Sequence, residues 1–151
     1  SSATVFRRFS LKTPQRSRRR CELSESMGTR LVLCSASALA LDCRLVFSQD
    51  ILYVTSGDTV NWLPTSPGHN VEFIAAPDIA ELPKKPSKVN KEYSYTFTEP
   101  GIYFYQCSPH KSMGMIAFVV VDKDISNIED IKSTRVFGKS KKKLEELLSY
   151  L

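Results

Sequence analysis

The sequence predicts an all-β domain, a β-sandwich or barrel with two C-terminal α-helices packed on it. Between residues 45 and 121, short apolar or alternating runs are separated by turn signals such as Ser56-Gly57-Asp58 and Glu99-Pro100-Gly101, a pattern typical of sandwiches and barrels. After Asp122 the apolar residues change to helical spacing. No run of 18 apolar residues occurs, which excludes a bundle of transmembrane helices.

Six or seven short strands are expected in the β region. Tyr93–Phe97 alternates aromatic and polar residues, so one face of this strand should be buried. Ile116–Val121 is a continuous β-branched and aromatic run, which predicts a central strand. A long connection with three prolines precedes Tyr93. The other predicted strands are Leu45–Phe47, Ile51–Val54, Thr59–Leu63, Val71–Phe73 and Ile102–Tyr105.

Two amphipathic helices should end the chain. Ser126-Asn127-Ile128-Glu129 fits a capping box, in which a serine side chain caps the first turn and a glutamate side chain bonds back. Gly138 interrupts the pattern. From Lys141 to Leu151, four leucines then recur at helical spacing. The apolar stripe is narrow, so packing on the sandwich is expected rather than contact with a membrane.

All of the excess positive charge lies near the N-terminal end. The chain has 21 basic and 16 acidic residues, and residues 1–42 hold eight of the former and three of the latter. Residues 43–151 are therefore neutral overall, which gives no support for a nucleic-acid partner. We expect a basic, leader-like and disordered segment at 1–28, the β domain at 29–123, and a helical extension at 124–151.

The stretch Met27–Ala40 allows two interpretations. Its basic start, small apolar residues and Ala38-Leu39-Ala40 cleavage motif fit an export signal. This predicts a protein of the periplasm or, in a eukaryote, of an organelle lumen of the thylakoid type. Alternatively, roughly Thr29–Ala36 supplies the first strand of the domain. A disulfide between Cys34 and Cys43 is conceivable, but their spacing does not establish it.

One thiol, two imidazoles and a thioether form the chemically suggestive group. His69 and His110 are the only histidines, and His110 lies three residues after Cys107 and five before Met115. Such a set is the ligand set of a blue-copper electron-transfer site. Structural zinc sites usually close with four Cys or His ligands, and only three are available here. A Cys–His nucleophilic pair is the other chemical alternative.

Four motifs carry a family resemblance: Gly57-Asp58-Thr59-Val60, Gly68-His69-Asn70-Val71-Glu72, residues 97–103, and Cys107-Ser108-Pro109-His110 with Met113-Gly114-Met115. On these, residues 43–151 resemble the cupredoxins, specifically the pseudoazurins, with plastocyanins as the second choice. The resemblance implies a Greek-key β-sandwich and one type 1 copper per chain. It implies as copper ligands His69, Cys107, His110 and Met115.

The resemblance also implies roles for residues around the ligands. Asn70 should hydrogen-bond across to Ser108 and so join the two ligand loops. Pro109 removes one backbone N–H that could otherwise approach the Cys107 sulfur.

Docking of redox partners is expected at the exposed edge of His110. Met113, with Pro67 and Pro109, would form an apolar patch there. The resemblance further implies that nearby lysines face acidic surfaces on the partner proteins, which raises association rates more than affinity. These lysines are Lys84, Lys85, Lys88, Lys91 and Lys111.

The predicted function is a soluble, monomeric one-electron carrier that shuttles between cytochrome-like donors and reductase or oxidase acceptors, without stable membrane insertion. A copper enzyme would need further histidines for a catalytic metal, and both histidines are already used. The alternative is a copper storage or delivery protein, which would favour clusters of Met or Cys on an open surface.

Overall fold

The computed structural model describes residues 29–36 and 45–151. The expected leader at 1–28, the Ala38-Leu39-Ala40 motif and Cys43 lie outside these residues. Within the described part, the chain forms eight strands, a short 3-10 turn at Ser108–His110 and two helices. The elements are β1 Thr29–Ala36, β2 Leu45–Phe47, β3 Ile51–Val54, β4 Thr59–Pro64, β5 Glu72–Ala75, β6 Tyr93–Thr96, β7 Gly101–Gln106, β8 Ile116–Val121, α1 Ile128–Ser133 and α2 Ser140–Leu148.

The strands form two four-stranded sheets, ordered β2-β1-β4-β6 and β3-β8-β7-β5. In the second sheet, β8 runs parallel to β3 and antiparallel to β7. The predicted β-sandwich with two C-terminal helices is therefore confirmed. Neither α1 nor α2 has the length and apolar character that crossing a bilayer requires.

Strand β1 bears on the two interpretations of the stretch around Met27–Ala40. It pairs in parallel with β4 over six positions, from Thr29 opposite Thr59 to Cys34 opposite Pro64. Its other edge pairs with β2. The interpretation of Thr29–Ala36 as the first strand agrees with this pairing. The boundaries of the three expected segments remain predictions.

Two buried layers explain why β8 is apolar at every position and why β7 is apolar or aromatic from Ile102 to Tyr105. Tyr103, Tyr105, Val119 and their alternating neighbours pack between the two sheets. Ile102, Phe104, Phe118 and the residues alternating with them pack under the helices, against Ile131, Leu144 and Leu147. Because both faces of this sheet are covered, its central strands need no polar face. The expected central position of Ile116–Val121 is confirmed, since all six residues are buried.

The predicted capping box at the start of α1 is wrong. The N-cap residue is Asn127 rather than Ser126, and no side-chain capping bond forms. The buried Asn127 side chain instead pairs with the backbone of Ile102 at the start of β7, accepting from its N–H at 2.8 Å and donating to its carbonyl at 2.9 Å. The Asn127 amide thus satisfies two buried backbone groups of a strand. Leaving those groups unpaired would cost about 1–3 kcal/mol each.

Candidate metal centre

Three of the predicted ligands lie on the connection between β7 and β8. Cys107 follows the last residue of β7, His110 ends the 3-10 turn, and Met115 directly precedes β8. The Cys107 N–H donates to the Met115 carbonyl at 3.0 Å, which closes the base of this loop. The loop therefore begins and ends on adjacent antiparallel strands, so its two ends are held by the sheet.

His69 reaches the same place from the loop between β4 and β5. Strand β5 pairs antiparallel with β7, and Glu72 lies opposite Gln106. The residues before Glu72 and after Gln106 therefore meet at one end of the sandwich. This register brings His69 beside Cys107, although the two are 38 residues apart in the chain.

The donor atoms of these residues converge. The Cys107 Sγ lies 3.7 Å from the His69 Nδ1 and 3.3 Å from the His110 Nδ1. One donor atom from each of the three residues lies within 4.8 Å of the others. His69 and Cys107 are buried, whereas His110 is partly exposed. Met115 is fully buried in the same core cluster as Cys107.

The protonation of these groups suits a metal cation. Burial lowers the pKa of His69, and the nearby His110 lowers it further, so the imidazole is held in the neutral form that ligates metals. Burial raises the pKa of the Cys107 thiol, an effect partly offset by the backbone N–H groups of Asn70 and His110. A cation bound between the three residues would favour the thiolate, because metal binding displaces the thiol proton.

The second ring nitrogen of His69, Nε2, also favours a neutral imidazole. Among the described residues, the buried His69 Nε2 has no hydrogen-bond partner. A charged imidazolium would leave this N–H as an unsatisfied donor carrying positive charge in the core, which is costly. A neutral ring avoids that charge; when its Nδ1 lone pair faces the cysteine, the single ring proton is on Nε2, where it is an uncharged donor. One sulfur and two imidazole nitrogens in a shielded site match the donors that blue copper takes.

Asn70 joins the two ligand loops. Its Oδ1 accepts from the Ser108 N–H at 2.8 Å, and its Nδ2 donates to the Ser108 Oγ at 3.0 Å. The Nδ2 also lies 3.3 Å from the Ser87 carbonyl. The hydrogen bond expected between Asn70 and Ser108 is therefore present, with both groups of the amide engaged. Pro109, which follows Ser108, is exposed and lies in the 3-10 turn, where it offers no N–H.

The proline-bearing connection supports His69 in a way that was not predicted from the sequence. Asn90 accepts from the Gly68 N–H at 2.5 Å and donates its own N–H to the His69 carbonyl at 3.0 Å. The Ser87 Oγ accepts from the Val71 N–H at 2.8 Å. Asn90 has a φ of 62°, a left-handed conformation that asparagine tolerates better than most residues. The one sequence feature that could have indicated this supporting role was an asparagine in a polar loop.

Side chains of the expected docking surface are accessible. Met113 is 52% exposed, and Pro67 and Pro109 are exposed as well. Lys111 directly follows His110, and Lys88 and Lys91 flank Asn90, which bonds the His69 loop. Lys84 and Lys85 lie farther along the connection. All five lysines are exposed.

Comparison with known proteins points to copper-binding proteins. The profile of the copper binding proteins of the plastocyanin/azurin family matches residues 34–122. A pseudoazurin from Methylorubrum extorquens is 37% identical over 71% of this chain and 72% of its own length, and one from Paracoccus pantotrophus is 35% identical over 70% and 72%. The crystal structure of a pseudoazurin from Methylobacterium extorquens AM1 superposes with a TM-score of 0.72 and 34% identity, over 81% of this chain and 98% of the other. Plastocyanins match over a shorter part of the chain.

Proposed function

Because the chain belongs to the plastocyanin/azurin family of copper-binding proteins, we propose that it is a pseudoazurin-like electron carrier whose copper is held by His69, Cys107, His110 and Met115. The observation that supports this most is the convergence of the Cys107 Sγ with the Nδ1 atoms of both histidines. When bound, copper supplies the one-electron Cu(I)/Cu(II) couple of a blue-copper site.

The protein residues provide the conditions for rapid electron exchange. Cys107 gives up its thiol proton, and the backbone N–H groups of Asn70 and His110 favour the resulting thiolate. The buried His69 keeps water away from one side of the site. His110 is the partly exposed histidine of the pair, so its ring edge is the natural point of contact with a partner.

Titration of the metal-free protein with Cu(II) tests this function. We expect an intense visible band from thiolate-to-copper charge transfer that saturates at one copper per chain. A one-electron reductant should bleach the band, and an oxidant should restore it. The absence of a band would contradict the proposal, and tight binding of several copper ions per chain would instead favour the storage or delivery alternative.

We propose that redox partners dock transiently on the face around His110, with a monomer of this chain as the carrier. The support is the exposed Met113 and Pro109 beside a partly exposed ligand, together with the exposed lysines at 84, 85, 88, 91 and 111.

Lys111→Glu should slow electron exchange with a negatively charged cytochrome roughly threefold at low salt, because charges near an interface act mainly on the association rate. Lys142→Glu, an equal charge change on α2, is the control. Equal rates for both variants, or no dependence on ionic strength, would contradict this docking mode.

We further propose that the protein is exported, to the periplasm or to an organelle lumen, with 1–28 as the address. Residues 1–21 contain six arginines and no acid, which supports this. Cleavage after Ala40 would remove β1 and expose the edge of β4 that it covers. Mass spectrometry of native protein should therefore find that the leader has been cleaved off shortly before Thr29, with Thr29–Ala36 retained. A native chain that begins at residue 41, or that retains 1–28, would contradict this.

A further inference from the structure

We propose that the start of α2 positions the loop that carries the copper ligands, so that the C-terminal extension is part of the metal site. This inference rests on the proposed function. The residues concerned are Gly138–Ser140, here called the clamp, and Lys111–Gly114, here called the ligand-loop tip. The tip is the whole of the chain between His110 and Met115.

Ser140 makes the central contact of the clamp. It is fully buried, although it stands at the first position of an otherwise charged helical turn. Its Oγ donates to the Lys111 carbonyl at 2.6 Å and accepts from the Gly114 N–H at 3.1 Å. One hydroxyl group thus bridges the first and last residues of the ligand-loop tip. That bridge sets the distance between the backbone next to His110 and the backbone next to Met115.

The other two clamp residues hold the middle of the tip. The Lys139 N–H donates to the Ser112 carbonyl at 2.9 Å. Gly138 has a φ of +56°, and a Cβ placed on it would lie 2.5 Å from the same carbonyl oxygen. Only glycine allows the two backbones to approach this closely without a shift of the loop.

The clamp itself is anchored on the core. Leu144 and Leu147 of α2 are buried in the cluster that also contains Ile116 and Phe118 of β8. The ligand-loop tip is therefore held between its own strands and a helix packed on the same sheet. Metal sites hold their geometry when hydrogen bonds outside the ligands fix the ligand-bearing backbone. Ser140 meets this description as a positioning residue that does not touch the metal.

Ser140→Ala tests the inference, with Ser149→Ala as the matched control. Ser149 lies just beyond the other end of α2, is exposed, and donates to the Glu146 carbonyl at 2.6 Å. In the full chain loaded with copper, loss of the Ser140 bridge should release copper to a chelator about fivefold faster, the effect of losing one ordinary hydrogen bond. It should also shift the visible band and speed hydrogen exchange of the Gly114 amide. Ser149→Ala should leave all three unchanged, and Ser140→Thr, which keeps the hydroxyl, should restore them towards wild type.

The outcomes separate this inference from the proposed function. A wild-type protein without a visible band would contradict the function, while Gly114 exchange in the metal-free chain would still test the clamp. If Ser140→Ala lowers only the melting temperature, with copper release and the band as in Ser149→Ala, the positioning role is wrong. Gly138→Ala provides a second route, since displacement of Ser112 should also speed copper release. Release at the wild-type rate in that variant would overturn the inference too.

Discussion

Replacement of Cys107 by alanine is expected to abolish the visible band of the copper-loaded protein completely. The band requires a thiolate on the metal, and Cys107 is the described cysteine whose sulfur faces both histidines. The metal-free fold should survive, because Cys107 carries no disulfide and an alanine leaves a cavity of only one sulfur atom. We expect a loss of about 1 kcal/mol in the free energy of unfolding.

Two measurements check this result. Absorbance during Cu(II) titration reports the band, and denaturant unfolding of the metal-free protein reports the fold. In the full chain, Cys21→Ala is the matched control, since it removes a thiol that is not among the proposed ligands. A band that persists in Cys107→Ala and disappears in Cys21→Ala would assign the copper to a different thiol and would overturn the proposed ligand set.

Replacement of Asn70 by alanine should have the second largest effect. Its amide makes both hydrogen bonds that connect the His69 loop to the turn at Ser108, and the residue is only 7% exposed. Loss of such a support outside the ligand shell typically weakens metal affinity about 10- to 100-fold. The Ser108 N–H and the Ser87 carbonyl would lose their hydrogen-bond partner, which should cost about 2 kcal/mol in the free energy of unfolding.

Competition with a copper chelator of known affinity measures the loss in Asn70→Ala. Asn61→Ala serves as the control, because Asn61 is a half-buried asparagine on β4, in the other sheet. Asn70→Asp should recover part of the affinity, since a carboxylate can still accept from the Ser108 N–H. If Asn70→Ala and Asn61→Ala bind copper equally well, Asn70 does not support the ligands.

Local pattern was enough to predict most of the strands. The alternation at Tyr93–Phe97 appears as half-buried tyrosines with exposed Ser94 and Thr96 between them. The unbroken apolar run at Ile116–Val121 became the strand that is buried on both faces. The capping box failed because a tertiary contact outweighed a local one. The N-cap is one residue later than the motif predicts, and its Asn127 side chain pairs with Ile102, 25 residues away, instead of capping the six-residue helix.

The candidate ligands could be chosen from sequence because their chemistry is rare and three of them are close in the chain. Cys107, His110 and Met115 share one short loop, so proximity needs no knowledge of the fold. The loop that carries His69 was harder to predict. Of the hydrogen bonds that support it, the Asn70–Ser108 bond was expected, but those of Ser87 and Asn90 were not. Asn90 is an ordinary loop asparagine until the fold places it against Gly68, 22 residues away.

The sequence by itself therefore determined the strand pattern, the two helices and the donor set, because periodicity and residue type report burial and chemistry locally. Only the tertiary structure decided that the register of β5 on β7 carries His69 to the thiol, and that Ser140 reaches back 26 and 29 residues to the ligand loop. Such contacts depend on how separate elements pack, and hydroxyl or amide groups can serve many partners equally well. Their partner is selected by the fold and leaves no periodic trace in the chain.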